Sequence, residues 1–150
     1  MIDINFYQLA TRPPEAILTQ LVPKALAAGH RIAIRSADLA LLTRIDVALW
    51  STPADSFHPH AIDTDAPDRA ASQPILLTAA PLPAANAADC LAQIGDDLPD
   101  DLTGLTRVWF LFDADSVETA RSRWRTLSKS ETVRPVYWRE TEDGRFEKAA

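Results

Sequence analysis

Apolar residues along the chain follow two periods. Ile17, Leu18, Leu21, Ala25 and Leu26 recur at helical spacing. They predict a first helix, entered at Pro13 and Pro14 and closed by Gly29. Pro23 falls inside that stretch and predicts a kink. Leu41, Leu42, Ile45 and Leu49 mark a second helix over Asp38–Leu49, with Ser36 or Asp38 near its N-cap. A third helix runs from Ser116 to about Lys129, with Asp115 placed to cap it.

Between the helices lie short runs of strand character. NFYQL (Asn5–Leu9) is a short aromatic strand and RIAIR (Arg31–Arg35) alternates. ILLT (Ile75–Thr78) is a short buried strand, Asp89–Ile94 is a short strand, and RVWFLF (Arg107–Phe112) is the best central strand. RPVYWRE (Arg134–Glu140) is a last strand, which Pro135 places near an edge of the sheet. Residues 61–73, Pro81–Ala88 and the acidic Gly95–Gly104 stretch are irregular, and about 141–150 form a polar tail. The order β-α-β-α-β-β-β-α-β predicts an α/β fold with a mostly parallel sheet and helices on both faces.

A chain of 150 residues favours a single domain, 1–150, able to bury a core without staples. One cysteine, Cys90, cannot form an internal disulfide, so nothing implies an oxidising compartment. No apolar run reaches the ~18 residues of a membrane span, and the opening MIDINFYQLA is unlike a signal peptide. A cytoplasmic location is expected. The net charge of −6 argues against tight, nonspecific nucleic-acid binding. Its distribution changes the picture. Residues 1–106 hold six bases against thirteen acids, and residues 107–150 hold nine against eight. Arg121 to Lys129 carries four bases and no acid, an island fit for an anionic partner.

Several chemistries lack their parts. The four glycines form neither GxGxxG nor a GK[ST] loop, so the expected fold has no nucleotide-binding loop. His58, His60, Asp63 and Asp65 could share a metal ion, but no Cys or His follows at zinc-finger spacing, and loop histidines commonly satisfy backbone groups. Cys90 has no histidine near it in sequence and reads as a small buried hydrophobe. Ser56 lies near both histidines without a GxSxG elbow. No enzyme signature, cofactor or metal site emerges. A small nucleotide-dependent enzyme on the same fold stays open as the alternative.

Two constellations remain. On the third helix Val117, Ala120, Trp124 and Leu127 share an apolar arc, at ~100° per residue, with Arg121 and Arg125 side by side on one shoulder. This is either an amphipathic helix with a solvated basic edge or a pocket for an acidic, apolar peptide. Guanidinium forks match carboxylates, and Trp with Arg is the usual composition of an interface hot spot. The second constellation is ALWSTPADSFHPH, Ala48–His60, which puts Trp50 and Phe57 on a stretch stiffened by Pro53 and Pro59. Either both rings complete the core or they offer a docking surface that loses little entropy on binding.

The residues LWSTPADSFHPH resemble the LW-x5-SF-x-PH stretch of the chi subunit of bacterial DNA polymerase III. FYQL, KALAAGHRIAIRS, PILLT, FLFDADS, ARSRWRTL and VYWRETEDGRFEKAA resemble further parts of that family in order, over most of the chain. The resemblance implies a single-domain, Rossmann-like fold without bound nucleotide. It also implies a non-catalytic accessory subunit joining the clamp-loader assembly to single-stranded DNA-binding protein, whose acidic tail ends in a Phe carboxylate. By resemblance Arg121, Trp124 and Arg125 lie on the tail-binding helix, with Arg123 on its other shoulder. Trp50 and Phe57 match residues that dock the psi subunit, a surface thought to be shared with a helicase-like repair protein.

Overall fold

The computed structural model describes residues 1–51, 59–65 and 67–150. The chain enters as β1 (Ile2–Gln8), in which Ile4 and Phe6 point to one face and Asn5 and Tyr7 to the other. Helix α1 (Pro14–Ala27) begins with proline in its first turn and buries Ile17, Leu18, Val22 and Ala25. Gly29 follows at φ 89°, a left-handed conformation that favours glycine after a helix end. Pro23 lies within the helix, where its missing N–H deprives the Thr19 carbonyl of its usual donor. After β2 (Ile32–Arg35) comes α2 (Leu39–Trp50), capped by Asp38, whose carboxylate accepts from the Leu41 amide at 3.2 Å.

The remaining strands are β3 (His60–Ile62), β4 (Ile75–Thr78), β5 (Cys90–Ile94), β6 (Arg107–Phe112), β7 (Val133–Glu140) and β8 (Phe146–Lys148). Helix α3 (Val117–Leu127) connects β6 to β7. The sheet runs β3-β4-β2-β5-β6-β1-β7-β8, and every neighbouring pair is parallel except β7 with β8. This is the mostly parallel α/β sheet that the element order implied, and the Rossmann-like fold that the resemblance implied. Helices α1 and α2 cover one face, around Ile34, Leu77, Ala92 and Leu111. Helix α3 covers the other, around Phe6, Leu91, Phe110 and Tyr137.

Three expectations are corrected. The polar tail contains strand β8, which continues the sheet past β7. Strand β7 lies next to that edge strand, near the edge as Pro135 indicated. The Tyr137 amide donates to the Ala150 carbonyl on the β8 side, and Pro135, two residues earlier, faces the same side below the end of β8. Its missing N–H costs no ladder bond there. Within residues 61–73, His60–Ile62 pairs with β4 and Pro67–Ser72 forms a 3-10 turn. Asp115 does not cap α3, whose N-cap Ser116 makes no side-chain capping bond; Asp113 instead accepts from the Asp115 amide at 3.0 Å and opens a 3-10 turn over Ala114–Ser116 that leads into the helix.

Candidate protein-docking sites

Helix α3 is held to the sheet by few anchors. Ala120 is its one buried residue. Trp124, half-buried, meets Phe6 and Tyr137 edge-on at centroid separations of 5.6 and 5.9 Å. Phe6 and Tyr137 are themselves stacked at 6.0 Å, and the Tyr137 hydroxyl donates to Gln8 Oε1 at 2.6 Å. The indole is thus fixed by a rigid aromatic layer and keeps an exposed border. Burial pushes the Tyr137 hydroxyl pKa up, opposed by the nearby Arg121 guanidinium. Arg121 and Tyr137 therefore meet at the rim beside Trp124.

The three arginines of the helix have different surroundings. Arg121 is 49% exposed and pairs loosely with Glu118 at 3.6 Å, one turn back. Arg125 is exposed and holds no ion pair among the described residues. Arg123 is 20% exposed and fully engaged: it contacts both Asp97 oxygens at 3.1 and 3.0 Å, Asp100 at 3.0 Å and the Leu98 carbonyl at 3.1 Å. The Asp97 hydrogen bond leads the causes that raise its pKa. The acidic Gly95–Gly104 loop, read from sequence as irregular, thereby clamps the outer shoulder of α3. Leu98 of the loop and Leu105 just after it enter the core beneath.

The opening stretch is described in part. Trp50, the last residue of α2, is 51% exposed, and its ring lies 4.4 Å from the His60 imidazole. His60 is buried, with Nε2 at 3.2 Å from Asp46 Oδ1 and 3.1 Å from the Asp46 carbonyl. Pro53, Ser56, Phe57 and His58 lie outside the described residues. Asp63 accepts from the Thr78 hydroxyl. Among the described residues no group of three His, Cys, Asp or Glu side chains could hold a metal ion. Cys90 is buried in β5, and burial pushes its thiol pKa up to about 12, so it is a protonated core residue at neutral pH.

A crevice of about 740 Å3 opens at the carboxyl ends of β1, β2, β5 and β6. Doubly wound sheets bind nucleotides at this place. Here Asp38, Asp96, Asp113 and Asp115 line it against Arg12 and Arg44. Arg44 already faces Glu15 at 3.3 Å, and Arg12 lies 3.8 Å from the buried Glu140 carboxylate. A phosphate there would meet a surplus of carboxylates. Among the described residues, no helix is long and apolar enough to cross a membrane.

Fold and surface together define a Rossmann-like α/β protein with exposed arginines on a surface helix and an acidic strand-end crevice. A family model described as DNA polymerase III chi subunit, HolC, matches residues 1–133, and the chain belongs to that family. The match takes in α1, α2, α3 and the first residue of β7, while the β7–β8 ending lies beyond it. Membership supports an accessory role in DNA replication within the DNA polymerase III assembly. A search of curated proteins finds no match.

Proposed function

We propose that the chain is a non-catalytic adaptor in the cytoplasm, linking the clamp-loader assembly to single-stranded DNA-binding protein. Arg121, Trp124 and Arg125 receive the acidic tail of that protein. The two guanidinium groups meet its carboxylates, and the exposed border of the indole packs against its terminal Phe. Arg123 serves as a positioning residue, since the Asp97–Asp100 clamp occupies its guanidinium. Trp50 and Phe57 face the psi subunit or an equivalent clamp-loader or helicase-like partner. The observation that carries this reading is the contrast on α3: two exposed arginines flank an indole fixed by Phe6 and Tyr137, in a chain of net charge −6.

The test is an anisotropy titration with a labelled peptide of several Asp residues followed by Ile-Pro-Phe with a free carboxylate. Saturable binding, weakened by salt and lost when the final Phe is removed, is the expected outcome. No binding at low salt would reject the adaptor reading. The competing reading, a nucleotide-dependent enzyme, is disfavoured by the acidic strand-end crevice. It predicts a rise in melting temperature with ATP, GTP or NAD. We expect none.

A further inference from the structure

On the sheet face opposite α3, strands β6, β1 and β7 lie side by side, and their parallel register aligns side chains in rows. Arg107, Asp3 and Arg134 form one row, and Trp109, Asn5 and Val136 form the next. These residues, with Leu21 and Lys24 of α1, line a groove of about 250 Å3. Three cations surround one carboxylate in it. Arg134 reaches Asp3 at only 3.8 Å, between two largely exposed side chains. Arg107 and Lys24 hold no ion pair among the described residues. The groove thus has a surplus of two positive charges in a protein of net charge −6. Its apolar part comes from Leu21, Val136 and the buried Trp109.

We infer that this groove is a second docking site, separate from α3, for a short acidic segment of a partner protein that carries an aliphatic side chain beside its carboxylates. Charge complementarity selects the acidic residues, because Arg107 and Lys24 hold no ion pair among the described residues that an anion would have to displace. The size selects a side chain or two rather than a nucleotide, since drug-sized ligands occupy roughly 300–1,000 Å3. Leu21 and Val136 select an aliphatic neighbour over a free phosphate, which would leave that wall wet. The site stands on the opposite face from Trp124, as Asn5 and Phe6 project to opposite sides of β1.

The experiment is an amide-correlation NMR titration of the full chain with the blocked peptide acetyl-Asp-Leu-Asp-Asp-amide at low salt. This probe has no terminal Phe and no free α-carboxylate. Saturable shifts at Lys24, Arg107 and Val136 and at the Trp109 indole N–H are expected. The double variant K24E/R134E should weaken that binding at least tenfold, and R121A/R125A should leave it unchanged. If the double variant loses the dispersed spectrum of a folded chain, K24Q replaces it, with a loss of about threefold expected. No saturable shift would overturn the inference, as would shifts confined to α3 and lost in R121A/R125A. Groove binding without Phe-ended peptide binding at α3 would uphold this site and reject the adaptor reading.

Discussion

Helices α2 and α3 join the sheet in opposite ways. Helix α2 sinks Leu41, Leu42, Ile45 and Leu49 into one core cluster, and its exposed Trp50 comes at the last position. Helix α3 fully buries Ala120 alone, rests Val117, Trp124 and Leu127 half-buried on the other cluster, and is clamped through Arg123. Both helices leave about half of their residues exposed, and they differ in what they show. Helix α2 shows Leu39, Val47 and Trp50 above a deep apolar anchor, whereas α3 shows Arg121 and Arg125 above a shallow one. The depth of the anchor and the chemistry on show separate the two.

The largest expected effect breaks the stability side of this contrast. Ile45→Ala should cost about 3 kcal/mol, since truncating a fully buried aliphatic side chain loses transfer energy and leaves a cavity. A urea midpoint series reads that loss, and at a temperature where the variant remains folded its affinity for the Phe-ended peptide should match wild type. Next come Arg121→Ala and Trp124→Ala, each expected to weaken the peptide by about 2 kcal/mol or more, as hot-spot residues do. If both bind like wild type in the anisotropy titration, α3 is not the tail site. Arg123→Ala should be milder, about 1 kcal/mol in stability, because its partners Asp97 and Asp100 are themselves largely exposed. Faster amide exchange confined to the Gly95–Gly104 loop and the outer turn of α3 would show the clamp at work. Unchanged exchange there would show that the loop holds itself.

The smallest effect is absent at neutral pH. Burial alone would raise the carboxyl pKa values of Asp89 and Glu140, yet hydrogen bonds overcome it in both. Asp89 accepts from His30 and the Arg31 amide, and Glu140 accepts from the Thr11 hydroxyl and amide and the Arg12 amide. Both end below their ordinary range. A carboxylate whose folded-state pKa is depressed stabilises the fold above its unfolded value, about 4. That contribution is lost as pH falls through the lower folded value. These bonds hold the entry and exit of α1, so below about pH 4 amide exchange should quicken there before it does at Trp124. Simultaneous loss at both helices would show that the two faces unfold as one unit.

The long apolar runs made most of the fold legible. ILLT and RVWFLF are buried almost throughout, and the helical spacing of Ile17 to Leu26 and Leu41 to Leu49 fell where the helices are. The two three-residue strands were invisible because so short a run has no measurable period. β1 begins at Ile2, three residues before the aromatic signal, since Asp3 and Asn5 face the basic groove and break the apolar look of its start. In the candidate site, Arg121, Trp124 and Arg125 share a shoulder that helical geometry alone reveals. The partners of Arg123 do not, because Asp97 and Asp100 lie more than twenty residues away on a loop with no periodic signal.

The brevity of β3 and β8 limits how far another sheet could extend this one. An eight-stranded sheet ends in two rows of backbone groups that another sheet could extend. Here each terminal strand is three residues long, which leaves little template for a neighbour. Removing residues 145–150 would make the eight-residue β7 the new border. The shortened chain should then form oligomers and fibrils at concentrations where the full chain stays dispersed, and light scattering would follow the change.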